Sequence, residues 1–228
     1  MNKAVILLSG GLDSVVSLAC IKEQYDDILA LTFDYSQKSA MQEIKSSKKV
    51  ADLYGIKHRI IKLDWLGSIS GSALNNSSKV PVLSEEDLDD KNITADSAKS
   101  VWVPNRNALF INIAASFAEA MNFNAIIIGA NKEEGATFID NSKEFITAVN
   151  NSLKYSVNSK IEVKAPLINM TKDDIVKKGT ELNIPFNLIY SCYRGNEKHC
   201  GKCESCQRLK KALKNYSNID IMYSIFGD

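Results

Sequence analysis

A chain of 228 residues with 45% hydrophobic residues can bury the full core of one domain and carry a small additional segment. Its formal net charge of +1 gives no electrostatic reason to expect broad binding to nucleic acid or to a membrane surface. No run approaches the roughly 18 apolar residues of a membrane span, and the first residues lead into a strand rather than a signal-type segment. We therefore expect a cytoplasmic protein.

The stretch Val5–Ser14 predicts a strand, a tight glycine turn and the start of a helix. Gly10 and Gly11 let the backbone come close to a bound group, and the first helical amides then point at that group with the positive end of the helix dipole. Asp13 or Ser14 is available to cap the helix. Such a turn is a cradle for an anion and suits a chain of phosphates. We name residues 9–14 the phosphate loop.

Two common phosphate-binding patterns are absent from this loop, Gly-Lys-Ser/Thr and G-x-G-x-x-G. Ser-Gly-Gly-Leu-Asp-Ser instead resembles the pyrophosphate loop of the N-type ATP pyrophosphatase superfamily, which includes GMP, asparagine and NAD synthetases. The resemblance implies that the protein cleaves ATP between the α and β phosphates and transfers AMP to an acceptor. It also implies an ATP-binding set that consists of Leu8, Ser9, Gly10, Gly11, Leu12, Asp13, Ser14, Val15 and Val16.

Strand-like and helix-like patterns alternate along much of the chain. Strands are predicted at 28–33, 58–63, 125–128 and 161–164, and helices at about 14–24, 40–54, 108–121 and 142–155. Gly55 is expected to stop the second helix, and Thr171 begins a further helix with a capping pattern. This alternation predicts an α/β fold with a doubly wound parallel sheet. Ligands of such sheets bind beyond the carboxyl ends of the strands, where the phosphate loop and residues 34–37 fall.

Residues 64–100 interrupt the alternation with turn formers and a strongly charged stretch. We predict a long loop here, which is either a mobile cover near the substrate or a tolerated surface insertion.

Arg106 stands at the predicted start of the helix that follows this loop. The helix dipole disfavours an arginine there unless an anion lies beside it, so a phosphate or a substrate carboxylate is expected near Arg106. A solvated arginine is the alternative. A further group of polar residues follows the strand at 125–128, namely Asn131, Glu133, Glu134 and Asp140.

Four of the five cysteines, Cys192, Cys200, Cys203 and Cys206, form what we name the four-cysteine cluster. Thiolates at this spacing can surround one tetrahedral zinc ion, and closed sites of this kind are typically structural. An iron–sulfur cluster also accepts four cysteines and remains open as an alternative. This use of cysteine indicates a reducing compartment rather than a disulfide framework.

Taken together, the motifs resemble the 7-cyano-7-deazaguanine synthase family over essentially the whole chain. Besides the phosphate loop, the resemblance rests on Phe33-Asp34-Tyr35-x-Gln37, Val103-Pro104-x-Arg106-Asn107, Gly129-x-Asn131, Ser191-Cys192-Tyr193 and Cys200-Gly201-x-Cys203-x-Ser205-Cys206. The sequence departs from the family pattern at two places. Asp140 is followed by Asn141-Ser142 where many members have Cys-Arg, and Ser36 and Lys38 stand where glycine and arginine are common.

The resemblance implies a ligase that makes a precursor of queuosine and archaeosine from 7-carboxy-7-deazaguanine, ammonia and ATP-Mg²⁺. ATP adenylates the carboxylate, ammonia displaces AMP to give the amide, and a second adenylation allows elimination to the nitrile. Three catalytic residues are predicted. Asp13 suits the magnesium ion, Arg106 a phosphate or carboxylate, and Asp140 the guanine-like edge of the base.

Further expectations complete this interpretation. Residues 1–190 form the ATP pyrophosphatase domain. Residues 191–228 form a zinc-binding segment that packs on this domain. The four-cysteine cluster in this segment binds one Zn²⁺ per chain. The family implies a homodimer, and no direct contact with nucleic acid or a membrane is expected.

Three other functions stay open at the level of sequence. A tRNA sulfurtransferase with the same ATP loop needs a redox-active or cluster-bound cysteine and a basic RNA surface. A paralogue that activates a deazapurine acid for attachment to another acceptor shares almost every motif. A non-catalytic zinc module that binds nucleic acid predicts salt-sensitive binding and no release of AMP.

Overall fold

The computed structural model describes residues 1–216 and 219–226. Its centre is a parallel sheet of five strands in the order β3-β2-β1-β4-β5, which confirms the predicted doubly wound fold. The strands are β1 (Lys3–Leu7), β2 (Asp27–Asp34), β3 (Lys57–Lys62), β4 (Ala125–Ile127) and β5 (Glu162–Lys164). Because the order reverses between β1 and β4, the carboxyl ends of these two strands mark the expected ligand site.

Ten α-helices surround the sheet in the described part of the chain. They are α1 (Leu12–Ile21), α2 (Ala40–Tyr54), α3 (Asp64–Ile69), α4 (Lys91–Val101), α5 (Arg106–Ala120), α6 (Lys132–Thr137), α7 (Lys143–Ser156), α8 (Lys172–Glu181), α9 (Glu204–Asn215) and α10 (Ile219–Phe226). Short 3-10 turns at Lys22–Gln24, Glu86–Asp89, Ile139–Asn141 and Phe186–Leu188 join them.

Both faces of the sheet are covered by a buried apolar layer. Along β1, Ala4 and Ile6 face the layer that holds α1, α2, α8 and α9, whereas Val5 faces the layer that holds α5 and α7. The inner strands β1, β2 and β4 therefore read as continuous apolar runs, as expected where a parallel sheet is buried on both sides, whereas the edge strands β3 and β5 carry exposed charged residues.

The prediction of a structureless loop at 64–100 is wrong. Helices α3 and α4 form there, because Leu66, Ala98 and Val101 bury apolar side chains against the body. Asp90 caps α4, since its side chain accepts hydrogen bonds from the backbone of the first turn, at 2.8 Å from Asn92 N. The apolar positions in these helices are too few to give a clear helical period in the sequence.

Other boundaries agree with expectation or differ by a few residues. Gly55 ends α2 with a φ of 63°, and Thr171 with Asp174 forms the expected capping box of α8. The predicted cap of α1 is wrong, since α1 begins at Leu12 with Gly11 at the N-cap, which places Asp13 and Ser14 inside the first turn. None of the described helices has the length and apolar character that crossing a membrane requires.

Candidate active site and metal centre

The phosphate loop turns sharply between β1 and α1. Gly10 has a φ of +82°, and a Cβ at this position would lie 2.7 Å from Ser46 Cβ and 2.9 Å from Ser47 N. The Ser46 hydroxyl donates a hydrogen bond to the carbonyl of Gly10 at 3.0 Å, so the loop rests directly on α2. Only glycine fits this combination of left-handed backbone and close packing.

Two backbone amides at the start of α1, those of Gly11 and Leu12, make long hydrogen bonds. Gly11 N donates to Ser9 Oγ at 3.3 Å and Leu12 N donates to Ser191 Oγ at 3.4 Å. The N-cap glycine has no side chain with which to satisfy the first-turn donors. Because serine hydroxyls can rotate away, this helix N-terminus can receive an anionic group.

A cavity of about 260 Å³ opens where the carboxyl ends of β1, β2 and β4 meet the phosphate loop. Its charged lining consists of Asp13, Glu43, Arg106, Glu134 and Lys172. Its aromatic lining consists of Phe33, Tyr35, Phe110, Phe138, Tyr190 and Tyr193. A site with a charged side and an apolar side suits a ligand that joins phosphates to an aromatic ring.

Lys172 is the counter-ion of the phosphate loop. Its Nζ lies 2.7 Å and 3.0 Å from the two oxygens of Asp13, and 3.3 Å from Glu134 Oε1. Burial raises the pKa of Asp13 to about 6, although the Lys172 ammonium acts in the opposite direction. Burial would lower the pKa of Lys172, but Asp13 and Glu134 raise it above its usual value. The three groups together carry one negative charge in excess when ionised, which suits a further cation.

Arg106 enters the same cavity as the first residue of α5. Its Nη1 donates to the hydroxyl of Tyr35 at 3.3 Å, and its Nε donates to Asn107 Oδ1 at 3.3 Å. Burial would lower the pKa of Arg106, but Tyr35 and Asp140 raise it, so the guanidinium stays charged. Both hydrogen bonds are long, and neither partner is an ionised carboxylate. The guanidinium can therefore pair with an anionic ligand.

Stacked rings form the apolar side of the cavity. The rings of Phe33 and Phe110 are 3.9 Å apart between centroids and nearly parallel, and Tyr35 packs against Phe110 at 5.6 Å. Trp102 and Phe138 stack at 6.4 Å near the same opening. Planar side chains in this arrangement can hold a planar ring system.

The structure brings most of the predicted site residues together. Leu8, Ser9, Gly11, Leu12, Asp13, Ser14 and Arg106 line the cavity, whereas Gly10, Val15, Val16 and Asp140 are not among the lining residues. Val15 and Val16 lie in the buried core. Asp140 lies behind the lining residues Asn107 and Asn141, with its carbonyl accepting from Asn107 Nδ2 at 3.1 Å. The roles assigned to these residues stay predictions.

Sequence reasoning missed Lys172 as a site residue and did not assign Glu134 a role. In the sequence Lys172 is only the residue after Thr171 at a predicted helix start, and 159 positions separate it from Asp13. The signal that could have found it is a lysine at the first turn of a helix, where the dipole disfavours a cation that has no anionic partner.

The four-cysteine cluster is preorganised for a metal ion. The four Sγ atoms lie within 4.8 Å of one another, close to the spacing of about 3.8 Å that follows from Zn–S bonds of about 2.3 Å in a tetrahedron. Backbone amides point at two of the sulfurs. Arg194 N and Cys200 N lie 3.5 Å and 3.3 Å from Cys192 Sγ, and Lys202 N and Cys203 N lie 3.4 Å and 3.3 Å from Cys200 Sγ.

Because the four thiols lie so close together, their pKa values shift in opposite directions. Hydrogen bonding from Cys203 lowers the pKa of Cys192, whereas hydrogen bonding to Cys192 raises the pKa of Cys203 far above its usual value. Four thiols this close cannot all lose their protons unless a cation lies between them. The four cysteine sulfurs therefore fit a divalent metal ion that prefers sulfur ligands in tetrahedral geometry.

The fold and the site define an α/β protein with a parallel sheet and an anion-binding loop at the carboxyl end of β1. NMN synthetase from Francisella tularensis has a similar structure, with a TM-score of 0.51 and 16% identity over 96% of this chain and 82% of that one. A 4-thiouridine synthetase, solved with RNA and bound ATP, gives a TM-score of 0.50 and 20% identity over 97% of this chain and 52% of that one. At these identities the likeness shows the fold alone.

The chain belongs to the family described as queuosine biosynthesis protein QueC, whose model matches residues 3–217. A 7-cyano-7-deazaguanine synthase from Methanobrevibacter smithii is 50% identical over 213 residues, which is 93% of each chain. The protein of the same description from Methanosarcina mazei is 49% identical over 229 residues and 99% of each chain. The resemblance inferred from the motifs is confirmed.

The departures at Ser36 and Lys38 have local explanations. Ser36 has a φ of 60°, a left-handed conformation in which glycine has no steric penalty. Lys38 Nζ donates to the carbonyls of Ala73 and Ser78, both at 2.6 Å, and so fastens the segment 64–101 to the end of β2.

Proposed function

We propose that this protein converts 7-carboxy-7-deazaguanine and ammonia into 7-cyano-7-deazaguanine and uses ATP, which it cleaves to AMP and pyrophosphate. The observation that carries the proposal is the shared cavity. A helix N-terminus whose amides make long hydrogen bonds, the Asp13–Lys172 pair and a wall of aromatic rings surround one space. The family membership and the identity of 49–50% to proteins described as 7-cyano-7-deazaguanine synthase favour this function over the alternatives that the sequence left open.

In the first half-reaction, a carboxylate oxygen of the substrate attacks the α-phosphorus of ATP. The bond from the α-phosphorus to its bridging oxygen breaks, and pyrophosphate leaves with the electron pair. The amides of Gly11 and Leu12 would hold the leaving phosphates, and the ammonium of Lys172 would offset their charge. Bound Mg²⁺, held by Asp13 with Glu134 nearby, would neutralise further phosphate charge.

In the next steps ammonia attacks the acyl carbon, and AMP leaves with one of the original carboxylate oxygens. The amide oxygen is then adenylated by a second ATP, and loss of AMP and protons gives the nitrile. Each step needs the acceptor oxygen in line with the α-phosphate while water is excluded. We assign the aromatic wall to the planar base, Arg106 to the carboxylate or a phosphate, and Asp140 with Asn141 to the guanine-like edge.

The four-cysteine cluster would hold one Zn²⁺ with a structural role. Its closed sulfur set leaves no position for a substrate, and it is not part of the cavity lining. We further propose that residues 1–190 and 191–228 act as one folded unit, that the protein works as a homodimer in the cytoplasm, and that it does not bind nucleic acid directly.

One incubation tests the proposed function. The purified protein is mixed with ATP, Mg²⁺, ammonium and 7-carboxy-7-deazaguanine, and mass spectrometry identifies the base and nucleotide products. AMP together with the nitrile supports the proposal. Amide or adenylated acid as the final product would move the function to a paralogue, and folded, metal-loaded protein that releases no substrate-dependent AMP would contradict it.

A further inference from the structure

A chain of ion pairs, joined by one backbone hydrogen bond, runs from the four-cysteine cluster to the phosphate loop. It begins at Glu204, the first residue of α9, which lies between Cys203 and Cys206 in the sequence. Glu204 Oε1 accepts hydrogen bonds from Arg208 Nε at 3.1 Å and from Arg208 Nη2 at 2.9 Å. The remaining arm of the guanidinium, Nη1, donates to Glu133 Oε2 at 3.2 Å.

Glu133 continues the chain to the N-terminus of α8. Its Oε1 accepts the backbone N–H of Lys172 at 2.6 Å, a position where the helix dipole favours a carboxylate. The side chain of the same lysine reaches Asp13 and Glu134. Arg208 is therefore connected to the phosphate-loop aspartate through only two intermediate residues.

Burial makes the Glu204–Arg208 pair sensitive to the loss of either partner. The side chain of Glu204 is 4% exposed and that of Arg208 is 17% exposed. The second oxygen of Glu204 accepts the hydroxyl of Ser97 on α4 at 2.6 Å, so the carboxylate has no solvent partner to replace Arg208. Removing one partner of a buried pair leaves an uncompensated charge, which the neighbouring groups relieve by moving.

Only arginine can make this junction. Its planar fork contacts Glu204 on α9 and Glu133 on α6 at the same time, whereas a lysine ammonium at that distance is a single point charge. The junction also does not contact the cavity, because neither Arg208 nor Glu133 is a lining residue. Ser205 and Leu209 on the same helix do line the cavity, so an effect of Arg208 on the reaction passes either through Glu133 or through α9 itself.

We propose that Arg208 is a positioning residue for ATP cleavage. It holds Glu133 at the N-terminus of α8, which fixes Lys172 beside Asp13, and through Glu204 it makes this placement depend on the folded four-cysteine cluster. The proposal rests on the proposed function for the identity of the reaction. The binding of an ATP analogue tests it without that assumption.

The test compares Arg208→Met and Arg208→Lys with Lys211→Met. Lys211 lies on the same helix but pairs with Asp89, whose side chain is 76% exposed, so its removal serves as the matched control. The measurements are kcat, KM for ATP, the affinity for α,β-methylene-ATP with Mg²⁺, zinc content and thermal midpoint. We expect Arg208→Met to lose about 10- to 100-fold in kcat, as is typical for residues that orient a metal ligand such as Asp13, while zinc content is kept. Arg208→Lys should fall in between, and Lys211→Met should match the wild type.

A double variant shows whether the effect passes through Glu133. If it does, Glu133→Ala combined with Arg208→Met loses no more than the larger of the two single variants. Losses that multiply, or an Arg208→Met protein with the kcat and analogue affinity of the Lys211→Met control, would overturn the proposal.

Two further outcomes have a defined meaning. If Arg208→Met fails to fold, Glu133→Ala carries the test, and an unchanged kcat in that variant overturns the proposal. If the analogue affinity depends on Arg208 but the wild type releases no AMP with the deazapurine acid, the positioning role is supported and the proposed function fails.

Discussion

At the scale of single residues, the reaction depends on a buried carboxylate that must be ionised. Asp13 lies in the first turn of α1 and shares Lys172 with Glu134. This arrangement keeps a full negative charge next to the place where phosphates bind, which is favourable only with the lysine and a metal ion present. Charge, rather than shape, is what the side chain of Asp13 contributes.

Substituting Asp13 by Asn should abolish turnover and leave the protein folded. The amide has nearly the same shape but no charge, so it forms no ion pair with Lys172 and is a much weaker ligand for magnesium. Asp27→Asn serves as control, because Asp27 pairs with the exposed Lys57 far from the cavity. Release of AMP and the thermal midpoint are measured together, and near-normal activity in Asp13→Asn would contradict the assigned role.

The protonation of Asp13 should appear in the pH dependence of kcat/KM for ATP. Because burial raises the pKa of Asp13 to about 6, the carboxylate is ionised above that pH and becomes protonated below it. Lys172 keeps its charge throughout, and Glu134 remains ionised because the Lys172 ammonium outweighs burial and lowers its pKa. We expect log kcat/KM to fall below pH 6 with a slope approaching about one, since this parameter reports the free enzyme. A flat profile down to pH 5 would rule out this titration.

At the scale of elements, the phosphate loop owes its shape to one glycine. Gly10→Ala should destabilise the protein and weaken binding of ATP, because a Cβ there meets Ser46 and Ser47. Gly55→Ala is the matched comparison, since Gly55 has a similar positive φ with no atom within 4 Å of an added Cβ. It should lose only the left-handed strain of about 1–2 kcal/mol. Chemical unfolding and ATP titration of both variants measure the difference, and equal effects would mean that packing on α2 is unimportant.

The second element-level prediction concerns the metal. Purified protein should contain one zinc per chain, and Cys203→Ser should lose it and unfold at a lower temperature, because binding of the metal contributes directly to folding. Cys20→Ser is the control, since Cys20 lies in α1 outside the four-cysteine cluster. Metal analysis and thermal unfolding give both readouts. Iron with acid-labile sulfide would instead indicate a cluster of the sulfur-transfer type.

At the scale of the whole molecule, the features that could be predicted from the sequence are those that depend on residues close together in the chain. The phosphate loop, the four-cysteine cluster and the parallel sheet are visible because each depends on neighbouring residues or a short period. Lys172 and Arg208 are not visible, because their partners come from distant parts of the chain. Helices α3 and α4 were missed for a related reason, since the body and the C-terminal segment stabilise them. The hydroxyl of Ser97 on α4, for example, donates to Glu204 of the C-terminal segment at 2.6 Å.

In the proposed reaction both carboxylate oxygens of the substrate leave on AMP. The direct measurement uses 7-carboxy-7-deazaguanine labelled with oxygen-18 in both carboxylate positions, with unlabelled ATP, Mg²⁺ and ammonium. Because the carboxylate oxygen and then the amide oxygen attack the α-phosphorus, we predict that each AMP carries one labelled oxygen and that the nitrile carries none. Label found in pyrophosphate or water, or ADP as the nucleotide product, would contradict the account.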